Sequence, residues 1–117
     1  MALSEAAWNA MLNELGPLAV YASLHDADPG AAGDNELSGG SPAYARQSVT
    51  FGAASGAQIG ITNDPIFAVP AGATVSHFGL WSASSGGTFY GGGALSASEV
   101  FGAQGTYTLT AATVTGL

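Results

Sequence analysis

The chain has 117 residues, eight acids against a single Lys or Arg, a net charge of −7 and 47% apolar residues. That length predicts one domain, and so apolar a chain with 8% charged residues does not have the composition of a disordered segment. One arginine cannot neutralise a row of phosphates or hold an anionic bilayer, so nucleic-acid and polybasic membrane partners are excluded, and the absence of cysteine excludes disulfides and thiol chemistry.

Residues 4–15 read as a helix. Ser4 can cap it and Glu5 complements the helix dipole. Trp8, Met11, Leu12 and Leu15 fall at i, i+3, i+4 and i+7 on one apolar stripe. Gly16-Pro17 is a stop signal. The stripe either covers the chain's own sheet or docks onto a neighbour, which makes Trp8, Met11 and Leu12 candidate interface residues. The helix lacks a basic flank and a long apolar run, so no signal peptide is expected, and no stretch approaches a membrane span.

From Leu18 the period changes to two. In "LAVYASLH" Leu18, Val20, Ala22 and Leu24 share one face and Ala19, Tyr21, Ser23 and His25 the other, the pattern of a half-buried strand. "DADPGAAGDNELSGGSP", residues 26–42, is a loop by composition, and its length is typical of loops that contact partners. Further strands are expected at 43–51, 57–63, 66–70, 74–83, 88–96 and 106–115, with a β-bulge near Ala111-Ala112 where the alternation slips. "GGG" at 91–93 marks a bulge or a close backbone approach. The fold class is mainly β: a single domain, residues 1–117, with a short N-terminal helix (4–15) and an antiparallel β-sandwich or jelly-roll-like barrel (18–117).

Chemistry is sparse. Asp26, Asp28, Asp34 and Glu36 are the candidate calcium ligands, but with Asp26 at the first position of a calcium-hand loop the twelfth is Leu37, where a glutamate is required. Asp and Asn also build turns through their own side chains, and a turn is the preferred reading. His25 and His77 lack a nucleophile-elbow serine or further zinc ligands. Asp64-Pro65 and Glu99 read as turn residues. Trp81, Phe78, Phe89 and Tyr90 suit either a sugar platform or packing. Arg46, the only fixed cation, is expected to hold a carboxylate bidentately, in its own chain or the next. Arg46 and Trp81 join the candidate interface set. No catalytic group and no cofactor is expected.

The extended stretches "YASLHDADPGAAGDNELSGG", "PAYARQSVTFGAASG", "VPAGATVSHFGLWSASSGGTFYGGGALS" and "GTYTLTAATVTGL", with the opening helix, resemble a family of small tailed-bacteriophage virion proteins often labelled tail fibre protein. The resemblance implies a non-enzymatic structural protein, made in the bacterial host cytoplasm and carried on the virion. Its partners would be the major capsid or tail proteins. A compact acidic globule without a coiled-coil heptad or repeating shaft suits capsid decoration; the alternative is a tail-fibre or tail-tip component that binds a host receptor or glycan. A homotrimer is expected, trimers being common at such positions on a particle.

Overall fold

Ser4 caps the first helix as its position predicts: its Oγ accepts the Ala7 N–H at 3.2 Å, and α1 runs Glu5–Leu15. A computed structural model describes residues 2–115. Leu12 is buried, Trp8 and Leu15 are half-buried, and Met11 stays 45% exposed. The stripe therefore covers the chain's own β-structure, with α1 lying on the segment that leads into β3. Asn9 and Asn13, one turn apart, fix it there by accepting the backbone N–H groups of Ala57 and Ala54, both at 2.9 Å. Gly16 ends the helix in right-handed geometry (φ −51°), not in a left-handed cap. Its missing side chain serves packing, because a Cβ there would stand 3.2 Å from Ile59 and 3.3 Å from Phe51.

The strands are β1 (Tyr21–His25), β2 (Gln47–Ser48), β3 (Gln58–Gly60), β4 (Ile66–Val69), β5 (Thr74–Trp81), β6 (Phe89–Val100), β7 (Gly105–Thr108) and β8 (Thr113–Thr115). One antiparallel sheet has the order β2-β1-β5-β6, and two ladders, β3-β8 and β4-β7, complete the fold. The chain is a mainly β single domain with one short helix, built of open antiparallel sheets and not a closed barrel. The core gathers Ala22, Leu24, Phe78 and Leu80 from the large sheet against Phe67, Val69 and Leu109.

Three expectations are corrected. First, β1 is not half-buried: Ala22, Ser23, Leu24 and His25 are each fully buried, so both faces are covered. Residues 26–36 fold back over the polar face and bury Pro29 against it. Second, of the segment 43–51 only Gln47–Ser48 is a strand. Third, the slip at Ala111-Ala112 is not a bulge inside one strand. Ala111 takes a left-handed φ of 53°, and the chain leaves β4 to pair with β3.

The triple glycine does mark a close approach. Gly92 and Gly93 pair with Gly79 and Phe78, and a Cβ on Gly92 would run into the Phe78 carbonyl and lie 2.9 Å from Pro29. The ladder shifts register between Leu80 and Trp81, and again between Val75 and His77, where β6 carries extra residues.

Candidate functional site

The polar face of β1 holds the densest side-chain chemistry in the molecule. Ser23 and His25, two residues apart, project to the same side of the sheet. Their Oγ and Nε2 lie 2.7 Å apart. His25 Nδ1 lies 2.7 Å from the Asp34 carbonyl oxygen, which can only accept, so Nδ1 carries the proton. Nε2 then accepts from the Ser23 hydroxyl, and Ser23 Oγ accepts in turn from Trp81 Nε1–H at 2.9 Å. Burial holds the His25 pKa below its ordinary value, and the hydrogen bond to Asp34 opposes this only in part. The ring is a neutral imidazole tying strand to loop.

A Ser–His pair at this distance has the geometry of an activated nucleophile. Its surroundings forbid that use. Both residues are fully buried, neither lines any of four well-formed cavities among the described residues, and the indole nitrogen occupies the serine oxygen. Gly79 opposite Ser23 leaves just enough room: a Cβ there would stand 2.6 Å from Ser23 Oγ and 2.8 Å from His25 Nε2. His77, across the ladder from His25, bonds its neighbour Ser76 instead.

Arg46 forms the second half of the site. Its Nε and Nη2 each donate to one Glu36 carboxylate oxygen at 3.0 Å, the bidentate fork. Nη1 donates to the carbonyls of Ala83 (3.1 Å) and Gly86 (2.9 Å) in the β5–β6 turn. The guanidinium carbon sits 3.6 Å from the centre of the Trp81 ring, a cation–π contact. Tyr44 donates to Glu36 at 2.9 Å while accepting the Leu24 N–H at 2.9 Å, and burial pushes its hydroxyl well above the ordinary phenol range. One arginine thus joins the loop 26–36, the β5–β6 turn and the indole.

The sequence-based candidates separate accordingly. Asp28 accepts the Gly30 N–H at 2.8 Å and makes the corner. Glu36 is held by Arg46 and Tyr44, and Asp26 and Asp34 are exposed. Among the described residues no three His, Asp or Glu side chains converge as a metal cluster would require. Of the two readings for Trp81 the structure shows packing: it is 8% exposed, with Arg46 over its ring and Phe89 at 5.0 Å. Of the four aromatics only Tyr90 is open to solvent, and Phe78 lies in the core. Ser23 was not singled out by sequence reasoning; its signal was sharing a strand face with His25.

The polar interior of this acidic β-module is engaged in holding its own loop. The family model for Podophage GP4 fiber I protein gp80 matches residues 2–116. The chain belongs to that family: it is a fibre-type structural protein of a tailed phage, a component of the virion. No match was found among curated proteins.

Proposed function

We propose that the protein is a non-enzymatic accessory of the phage head surface, a decoration protein that binds the assembled capsid as a homotrimer. The observation that carries this reading is the closed state of the aromatic and histidine cluster. Trp81, the natural sugar platform, is covered by Arg46 and fixed through its indole nitrogen. Ser23 and His25 are sealed beneath it. A receptor-binding tip needs an open site with converging polar groups. The cluster instead rigidifies a single globule, which suits a module that plugs into a symmetric particle.

Immunogold labelling of purified particles tests the placement. Gold over the head is the expected result. Gold confined to the tail tip overturns decoration in favour of receptor or glycan binding.

A further inference from the structure

Residues 26–36 form a strap across the polar face of the large sheet, and the tip of the strap is lightly held. From Asp26 to Asp34 the only buried residue is Pro29. Most hydrogen bonds of the tip stay inside it. The Gly33 and Asp34 N–H groups donate to the Pro29 carbonyl at 3.0 and 2.8 Å, Gly30 N–H to the Asp28 carboxylate and the Asn35 amide to the Asp28 carbonyl. At the base, Asp26 N–H bonds the Asn35 carbonyl and Leu37 N–H the Leu24 carbonyl. A segment with so few buried apolar contacts opens at lower cost than the core. Beneath it lies an aromatic pair. A Cβ on Gly33 would run into the Trp81 indole and lie 2.9 Å from Phe89. Leu24, Phe78 and Leu80 pack in the core on the opposite face of the sheet, so lifting the strap leaves them covered.

The side-chain tie between the tip and the sheet is His25, and its polar atoms are fully used. A second proton on the ring must go to Nε2, because Nδ1 already donates to the Asp34 carbonyl. The N–H groups of His25 Nε2 and Trp81 Nε1 then meet at one oxygen, Ser23 Oγ, and the serine proton loses its acceptor. The surrounding charges offer no remedy. The Glu36 carboxylate is engaged by Arg46 and Tyr44, and Asp26 and Asp34 are exposed. From β5, His77 stands across the ladder and adds a second base, and β6 contributes the uncharged Phe89. Burial disfavours the proton most, with His77 and Arg46 adding to it and the Asp34 carbonyl and Glu36 opposing. A buried cation without a free counter-charge is stable only in contact with water.

We propose that the strap is a proton-operated cover: a proton on His25 is accommodated by lifting residues 26–34 off Trp81 and Phe89 while the core stays folded. The open ring regains its ordinary affinity for the proton, so closure is favoured above about pH 6.5. Opening grows as pH falls below that, by at most about tenfold per pH unit. The effect is local, because both histidines of the chain lie on β1 and β5, and α1 and the β3-β8 and β4-β7 ladders contain none. The device goes beyond the proposed role and operates equally on the head or the tail.

Hydrogen exchange of the full chain, followed by NMR from about pH 7.5 to about pH 5 and corrected for intrinsic exchange, tests it. The Trp81 indole N–H reports the space under the strap. The Leu109 amide, bonded to the Pro65 carbonyl at 2.9 Å, reports the core. The expected result is a fall of roughly tenfold or more in Trp81 protection across this range with Leu109 protection unchanged. His25→Gln should remove the pH dependence. Gly33→Ala drives a methyl into the indole and should lower Trp81 protection already at neutral pH, which answers the question even if His25→Gln does not fold. Equal falls at Trp81 and Leu109, or no fall at Trp81, overturn the cover. A fall that survives in His25→Gln overturns the role of that ring, and full neutral-pH protection in Gly33→Ala overturns the strap as the barrier.

Discussion

Arg46 shows how much one residue can organise in a chain with a single fixed cation. Four donated hydrogen bonds and an indole contact meet in one guanidinium. Lysine offers a point charge in place of a planar fork, so Arg46→Lys keeps the charge and loses the geometry. Arg46→Ala leaves the Glu36 carboxylate, itself only 22% exposed, without its counter-charge. Its expected cost is about 3 kcal/mol, and thermal unfolding followed by circular dichroism should show a fall of roughly 10 °C or more. His25 gives a second prediction. Its pKa in the fold is depressed below 6.5 by burial, whereas the unfolded chain binds the proton at about 6.5. The stability this contributes is present above pH ~6.5 and is lost as pH falls through the folded value. Melting temperature should decline on acidification over that window, and His25→Gln should flatten the decline relative to wild type. An equal slope in the variant would remove His25 from the account.

At the scale of the element, the strands meet through absent side chains as much as through present ones. Gly79→Ala forces a methyl against Ser23, His25 and Phe89, and the expected loss is about 2–3 kcal/mol in denaturant unfolding. On α1, Leu12→Ala should cost about 2–4 kcal/mol, while Met11→Ala, on the exposed side, should change stability by less than about 0.5 kcal/mol. Equal effects would mean that the helix packs on a different face. Much of this was legible in the sequence: the Ser4 cap, the β-rich order of elements, the close approach at the triple glycine, and a bidentate carboxylate for Arg46. What escaped was decided by tertiary partners. The alternation in "LAVYASLH" is what a half-buried strand shows, yet Ser23 and His25 are buried because they satisfy each other, Trp81 and the Asp34 carbonyl. No local pattern announces that a loop will fold back to supply that carbonyl. The choice of Glu36 over seven other acids was equally hidden, since it depends on where that loop crosses the sheet.

At the scale of the molecule, the charge is one-sided and nearly all of it is at the surface. The only cation is neutralised within the clamp, which leaves the remaining carboxylates to repel one another. Added salt screens such repulsion, so melting temperature should rise between low and physiological ionic strength. A flat salt response would show that the carboxylates lie too far apart to interact. The elongated form, 46 by 23 by 23 Å, spreads them along its length.

The division of the last strand segment between two ladders has a consequence for the order of events in the cell. β3 and β4 lie in the middle of the chain, yet their hydrogen-bonding partners are β8 and β7. During synthesis the large sheet can assemble once β6 has emerged, while β3 and β4 wait with open edges for the final residues of the domain. A ribosome stalled before Gly105 would therefore present an incomplete domain with two unpaired strands, a ready target for proteases and for misassociation with its neighbours.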